Sequence, residues 1–215
     1  MKKGDSSLFK QARLPLILLS ILIVIFIFTG IYAKAGTLNW FLEVVPALVG
    51  ILVLVITYKK FPLSNWIYAC IFLHSLILVY GGYYTYANTP LGNYVKDVFH
   101  LSRNHYDRVG HFALGFFPAF LIREVLLRKT KLERNGWLFF IVIAIALAIG
   151  AFWELIEWWT TLVVAPGVGQ AYLGTQGDLW DAQWDMLWVL LGAIVALLTF
   201  VKYHDQSLKN LKEVR

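Results

Sequence analysis

The sequence has one cysteine and few charged residues, and both absences limit what the protein can be. Cys70 is the single cysteine among 215 residues, so an intramolecular disulfide and a cysteine metal cluster are excluded. Charged residues make up 15% of the chain, whereas 59% of it is hydrophobic, and the mean hydropathy is +0.65. These values lie far outside the range of soluble proteins. They predict an integral membrane protein that contacts the lipid bilayer.

Six apolar stretches are each long enough to cross a bilayer, since about 20 helical residues span the hydrocarbon. We therefore predict an all-α polytopic membrane protein, built as a single domain over residues 1–215. The predicted transmembrane helices cover residues 14–32, 38–58, 65–86, 107–127, 137–159 and 179–203. The sequence Ala33-Lys34-Ala35 has the form of a signal cleavage site, but the apolar run before it is longer than a usual signal core. An uncleaved first span is the favoured interpretation, with cleavage as the alternative.

Basic residues are unevenly divided between the two sides of the predicted spans. Four precede the first span, two lie between the second and third, four between the fourth and fifth, and four lie at the C-terminal end, where Lys202 is within the last turn of the sixth span. The opposite side carries only Lys34, Lys96, Arg103 and Arg108. By the positive-inside rule, both termini are predicted to be cytoplasmic. This distribution also explains the net charge of +6 without a nucleic-acid partner.

Three carboxylates lie at the start of the predicted sixth span, within the stretch QGDLWDAQWDM. Asp178, Asp181 and Asp185 follow i, i+3, i+7 spacing, which would place them along one side of a helix. Acidic residues at the edge of a bilayer usually need partners, water or a cation. Ordinary solvated acids at a helix end are the alternative interpretation, above all for Asp178.

Polar residues of four spans are predicted to share one layer near the outer face. At about 1.5 Å of helical rise per residue, His111, Glu154 and Asp185 lie about 26 Å from the inner boundary, and Glu43 about 22 Å. Within the layer, Asp107 and His111 are spaced i, i+4, as are Asp181 and Asp185, and Glu154 and Glu157 are spaced i, i+3. Such pairs lie on the same side of a helix, so their side chains can act together.

Several carboxylates in a low-dielectric pocket cannot all stay ionised unless a cation, a basic side chain or a proton offsets them. Arg108 and His111 could supply part of that charge. A set rich in oxygen with one His favours Mg²⁺, Mn²⁺ or Ca²⁺ over Zn²⁺. The candidate metal ligands are Glu154, Asp181, Asp185 and, as the outermost, Asp178. The candidate catalytic residues are Glu157, Asp107 and His111, the last as a base or as a further ligand.

Three functions are consistent with this layer. A bound divalent cation could activate water, which would suit a hydrolase or transferase acting on a lipid-linked or phosphorylated substrate at the outer leaflet. Cation- or proton-coupled transport is the second hypothesis, although His74, Arg123 and Glu124 are the only polar residues available below the layer. The third is a structural or assembly role in which the polar layer locks the helices together.

Two isolated basic residues receive simpler interpretations. Arg123 is predicted to snorkel to lipid headgroups, and His74 to hydrogen-bond a neighbouring helix. The polar segment 91–106 is predicted to be an external loop that contains a short interfacial helix.

The chain resembles the YjdF-type family of bacterial inner-membrane proteins. The resemblance depends on YDRVGHF, GFFPA and IRE within residues 106–124, on WELIEW at 153–158 and on QGDLWDAQWDM at 176–186. It covers nearly the whole chain. The resemblance implies a small multi-span protein of the bacterial plasma membrane, and it implies no established reaction.

Overall fold

The computed structural model describes the backbone of residues 3–213 and the side chains of residues 12–211, and this part of the chain contains helices and no strand. Lys2 and Arg215, which contribute to the predicted orientation, lie outside the described residues, as do the side chains of Lys3, Lys10 and Lys212. The α-helices are α1 (Lys3–Ile31), α2 (Thr37–Thr57), α3 (Asn65–Tyr84), α4 (Pro90–Val98), α5 (Tyr106–Lys129), α6 (Gly136–Val163), α7 (Pro166–Leu173), α8 (Asp181–Thr199) and α9 (Val201–Glu213).

Six of these helices are long and apolar enough to cross a membrane, which confirms the predicted number of spans within the described residues. They are Ala12–Ile31, Thr37–Thr57, Asn65–Tyr84, Tyr106–Lys129, Gly136–Thr161 and Asp181–Thr199. The predicted helix in the segment 91–106 is also present, as α4. The third span ends at Tyr84 rather than at Tyr86 because Thr85 adopts a φ of 66°, outside the helical region.

The predicted sixth span, 179–203, is wrong at both ends. The helix α8 begins at Asp181, so Asp178 lies in the preceding turn and does not share a helix face with Asp181 and Asp185. At the other end the helix stops at Thr199, and α9 starts anew at Val201. Counted from Thr199, Asp185 lies about 21 Å from the end of its helix rather than the predicted 26 Å.

The helices α5 and α8 form the centre of the bundle, and glycine lets their backbones approach closely. A Cβ atom on Gly115 of α5 would collide with the carbonyl oxygen of Val189 on α8. A Cβ atom on Gly192 of α8 would likewise collide with the carbonyl oxygen of Phe112 on α5. Small residues at such crossings are typical of helix pairs in membranes. This close contact sets the relative position of α5 and α8, and with it which of their side chains face each other.

The loops fall into two sets at opposite ends of the bundle. Contacts of Arg103 and Asn104 with residues 174–181 join one set, which we call the acidic face. Contacts among Ser64, Glu124, Arg134 and α9 join the other set, which we call the basic face. The cytoplasmic position of the basic face follows only from the distribution of charge, so it remains a proposal.

Candidate metal site and its surroundings

His111 lies at the centre of a buried polar cluster near the acidic face. Its Nε2 atom is 3.0 Å from Oε1 of Glu154 on α6. Its Nδ1 atom is 3.3 Å from Oδ1 of Asp185 on α8 and 3.5 Å from Oδ1 of Asp107, one turn earlier on α5. His111 and Asp185 are 4% and 2% exposed, so water screens these contacts little. Three helices therefore bring carboxylates to one imidazole ring.

None of these short distances is aligned as a hydrogen bond. Both ring nitrogens of His111 lack a hydrogen-bond partner among the described residues, as do the facing oxygens of Glu154 and Asp185. Buried polar atoms normally have partners, because leaving one unpaired costs free energy. Oxygen and nitrogen atoms that converge without donating to one another have the arrangement of ligands around a cation.

The ligand atoms form two groups that share His111. Atoms of Asp107, His111 and Asp185 lie within 4.8 Å of one another, and so do atoms of His111, Glu154 and Glu157. A neutral imidazole binds a metal through one nitrogen and donates a hydrogen bond through the other. The two groups are therefore alternative sites on opposite sides of one ring, rather than two sites that can be filled together.

A cavity of about 40 Å³ lies on one side of His111. Its wall includes His111, Asp107, Glu157 and Glu43, but no residue of α8. One water molecule needs roughly 10–15 Å³, so the cavity can hold an ion with a few waters. Each group of ligand atoms has one carboxylate on this wall, Asp107 in one group and Glu157 in the other, whereas Asp185 and Glu154 do not line the cavity. The indole Nε1 of Trp153 donates a 2.8 Å hydrogen bond to Oε1 of Glu157 and so orients that carboxylate.

Glu43 faces the same cavity from α2. It is 4% exposed, and its Oε1 atom has no hydrogen-bond partner among the described residues. Its position agrees with the predicted layer. Five carboxylates thus surround one imidazole, and a protonated His111 would still leave four negative charges if every acid were ionised. A cation or bound protons must offset that charge.

Asp178 and Asp181 are predicted from the sequence as metal ligands, but they contact arginines instead of the His111 cluster. Arg103 Nη1 donates to Oδ1 of Asp181 at 2.5 Å, and it also lies 3.4 Å from Oδ2 of Asp178. Arg108 Nη2 donates to Oδ2 of Asp178 at 2.9 Å, and its guanidinium lies over the ring of Trp184. We call these four charged residues the arginine clamp. Two arginines balance two carboxylates there, so the clamp needs no metal.

His105 lies beside the arginine clamp and adds no charge to it at neutral pH. Burial lowers the pKa of His105, and the positive charges of Arg108 and Arg103 lower it further. The clamp is extended by Asn104 and Gln176. The backbone N–H of Asn104 donates to the Gln176 side chain at 3.0 Å, and the Gln176 amide donates back to the Asn104 carbonyl at 2.8 Å. These bonds fix the two loops of the acidic face above the cluster.

A second buried polar network lies at the basic face, and sequence reasoning missed most of it. Glu124 accepts hydrogen bonds from the backbone N–H and the hydroxyl of Ser64, at 2.9 Å and 2.6 Å, and from Arg128 at 2.6 Å. The Nε2 atom of His204 lies 3.2 Å from Oε2 of Glu124. On the other side of the same ring, Arg123 donates a hydrogen bond to Nδ1 of His204 at 3.0 Å. Since Nδ1 accepts from Arg123, Nε2 carries the proton that Glu124 accepts.

The predictions made for the side chains of Arg123 and His74 are wrong. Arg123 does not snorkel to the headgroups, because it is 4% exposed and donates to Asp205 at 2.8 Å as well as to His204. His74 does not hydrogen-bond a neighbouring helix, because its Nε2 has no partner among the described residues. Its ring instead stacks on Phe117 and lines the cavity beside His111.

The fold and the cluster define a multi-pass α-helical membrane protein with a buried His and carboxylate centre close to one face. The family described as "Predicted membrane protein (DUF2238)" matches residues 14–206, and the chain belongs to this family. It is 42% identical over 189 residues to "Inner membrane protein YjdF" of Escherichia coli (strain K12), a match that covers 88% of this chain and 90% of the relative. No solved structure matches the chain. The predicted resemblance and the predicted location in the inner membrane are confirmed.

Proposed function

We propose that the His111 cluster binds one divalent cation and serves metal-assisted hydrolysis or transfer on a phosphorylated or lipid-linked substrate. The observation that carries the proposal is the convergence of three helices on the two ring nitrogens of His111 without a hydrogen bond. We further propose that the acidic face is extracytoplasmic, following the charge of the loops. The substrate would then be bound at the outer leaflet.

We place the cation on the Nε2 side of His111, because the shortest contact between the ring and a carboxylate, 3.0 Å to Oε1 of Glu154, is there. There Glu154 and Glu157 would be the carboxylate ligands, and waters in the cavity would complete the coordination. Nδ1 would then carry the proton, and a small rotation of the ring would align that N–H with Asp185 or Asp107, which would hold the ring in place. The sequence alone suggests Glu157 as a catalytic residue and Asp185 as a metal ligand. In this proposal Glu157 would bind the cation instead, and Asp185 would orient His111. A mixed His and carboxylate set suits Mn²⁺ best among Mg²⁺, Mn²⁺ and Ca²⁺.

The chemical role of the cation would be to lower the pKa of a bound water and to polarise a phosphoryl group. Glu43 lies across the cavity and is the remaining carboxylate that could accept a proton from that water. A substrate is larger than the present cavity, so only its reacting group would enter the cluster. Arg103 and Arg108 are the basic side chains of the acidic face that the rest of an anionic substrate would contact.

Metal content of the purified protein tests the binding step. We expect about one Mn²⁺ per chain, a higher thermal midpoint with Mn²⁺ than with chelator, and loss of both in Glu157→Gln. Glu133→Gln is the matched control, because Glu133 is exposed at the basic face. Wild-type protein without bound metal and without stabilisation by Mn²⁺ would remove the proposal.

Phosphate release from phosphatidic acid and from a polyprenyl diphosphate in mixed micelles tests the chemical step. We expect release that depends on Mn²⁺ and that His111→Ala and Glu157→Gln abolish. Metal binding without release from either lipid would leave the cation site in place and eliminate a phosphatase reaction on these lipids.

A second candidate is permeation of a cation or proton, favoured by one observation. His74 lines the same cavity as Glu43 and His111 but belongs to the middle of α3, so the polar space extends inward from the cluster. Below it, the described residues between this cavity and Glu124 are mainly apolar, including Ala119 and Phe120. Flux in proteoliposomes decides this candidate, which predicts that Glu154→Gln abolishes any flux measured for the wild type.

A further inference from the structure

A groove of about 230 Å³ opens at the basic face, between α5, α6 and the junction of α8 with α9. Its floor is apolar. The floor residues are Leu138, Phe139, Val142, Leu197 and Val201. Its rim is polar and includes Arg123, Arg134, Asn135 and Asp205. A groove with an apolar floor and a charged rim matches the two parts of a phospholipid.

The rim carries more positive than negative charge. Asp205 accepts hydrogen bonds from Nη1 of Arg123 at 2.8 Å and from Nε of Arg134 at 3.2 Å, so one carboxylate faces two guanidinium groups. Arg134 is 51% exposed at its side chain, and its terminal nitrogens make no hydrogen bond to another described residue. The N-terminus of α6 adds a partial positive charge beside them. The groove is therefore complementary to an anion.

The groove adjoins the exposed surface of α6 at Phe139, which lines the floor and is 36% exposed, whereas Leu138 and Val142 are its buried part. Phe140 and Trp137 are 62% and 68% exposed, and they lie on the same first turns of the helix as Leu138 and Phe139. Val142 lies six residues after Gly136, about 9 Å along the helix axis. The groove thus extends from the level of the loops into the hydrocarbon, the range that a headgroup and the start of its acyl chain occupy.

We propose that this groove binds an anionic phospholipid, such as phosphatidylglycerol, from the leaflet at the basic face. Its phosphate would contact Arg134 and Arg123, and one acyl chain would lie along the apolar floor. Basic pockets between transmembrane helices recognise anionic headgroups through this combination of charge and apolar surface. The site is separate from the His111 cluster and does not depend on a metal there.

Native mass spectrometry of the full-length protein in neutral detergent micelles tests the proposal with phosphatidylglycerol as the probe. We expect bound phosphatidylglycerol at concentrations where phosphatidylcholine is absent from the spectrum. Arg134→Gln should weaken phosphatidylglycerol binding about fivefold, the size expected for one Arg near an anionic membrane surface. Because Arg134 is half-exposed and makes no contact with Glu124, its substitution leaves the buried Glu124 network in place, and a cooperative thermal transition like that of the wild type would verify that the variant is folded.

Lys131→Gln is the matched control. It removes the same charge from the same loop, and Lys131 is exposed outside the groove. Equal binding of the two lipids would overturn the proposal, and so would an equal loss in Arg134→Gln and Lys131→Gln. Complete displacement of the lipid by millimolar inorganic phosphate would also overturn it, because the rim would then be a site for a free anion.

Discussion

Nδ1 of His111 lies 3.3 Å from Oδ1 of Asp185, and this contact joins the two central helices of the bundle, α5 and α8. Asp185 is 2% exposed and does not line the cavity beside His111. If the proposed cation is bound at Nε2, Asp185 would orient His111 by accepting the proton of Nδ1 rather than bind the ion. The distinction between these two roles can be measured.

Asp185→Asn should weaken Mn²⁺ binding about 10- to 100-fold without changing the number of ions bound, as is typical when a group that orients a metal ligand is lost. Glu157→Gln should instead abolish stoichiometric binding. Isothermal titration with Mn²⁺ measures both. If Asp185→Asn abolishes binding and Glu157→Gln retains it, the cation lies on the Nδ1 side, with Asp107 and Asp185 as ligands.

Asp178→Asn should leave Mn²⁺ affinity unchanged, because Asp178 is held by Arg103 and Arg108 and lies outside both groups of candidate ligands. Isothermal titration with Mn²⁺ measures the affinity, and Asp185→Asn serves as the comparison variant in which the affinity should fall. A loss of affinity in Asp178→Asn comparable to that of Asp185→Asn would return Asp178 to the ligands predicted from the sequence.

Arg103→Gln should destabilise the protein by about 3–5 kcal/mol, because it leaves the buried carboxylate of Asp181 without its charged partner. The double variant Arg103→Gln/Asp181→Asn should recover much of that loss, since it removes both charges. Equilibrium unfolding in mixed micelles with increasing dodecyl sulfate measures the free energies. Strict additivity of the two single substitutions would contradict a direct pair between Arg103 and Asp181.

The number of helices and most of their bounds could be predicted from the sequence, because long apolar runs identify membrane spans without any tertiary information. The layer of His111, Glu154 and Glu43 could also be predicted, since counting residues along each helix estimates depth. The counting worked because each helix crosses the same thickness of hydrocarbon.

The partners of the charged residues could not be predicted in this way. Depth places residues at one level, but it does not say which helices touch or how each is rotated. Asp181 and Asp185 lie one turn apart, yet one contacts Arg103 and the other contacts His111. Arg103 is 78 residues from Asp181 in the chain, and no local spacing indicates that pair. The roles of His204 and Asp205 are hidden in the sequence because the apolar run of α8 continues into α9 without a clear break.

Gly115→Ala should destabilise the protein by about 1–3 kcal/mol or more, because the added methyl group would meet the backbone of Val189, which cannot rotate away. Gly50→Ala is the matched control. Gly50 also lies inside a helix, but no atom lies within 4 Å of the position that an added Cβ would occupy, so alanine should be neutral or stabilise by up to about 1 kcal/mol. Unfolding in mixed micelles compares the two. Equal effects would mean that α5 and α8 are not in close contact at Gly115.

Asp205 gives the basic face a dependence on pH. Burial alone would raise the pKa of Asp205, but the hydrogen bonds and charges of Arg123 and Arg134 outweigh it and lower the pKa below its usual value. A carboxylate whose pKa is lowered by folding stabilises the folded state above its unfolded pKa, about 3.9. That contribution is lost as the pH falls from there through the lower folded pKa.

Asp205→Asn should therefore be less stable than the wild type at neutral pH, and the difference between the two should shrink as the pH falls below about 4. Free energies of unfolding measured at a series of pH values give that difference. The other titrating groups are the same in both proteins, so their contributions cancel when the two free energies are subtracted. Asp97→Asn, which removes an exposed acid on α4, is the matched control. A difference between Asp205→Asn and the wild type that stays constant down to strongly acidic pH would contradict the pairing of Asp205 with Arg123 and Arg134.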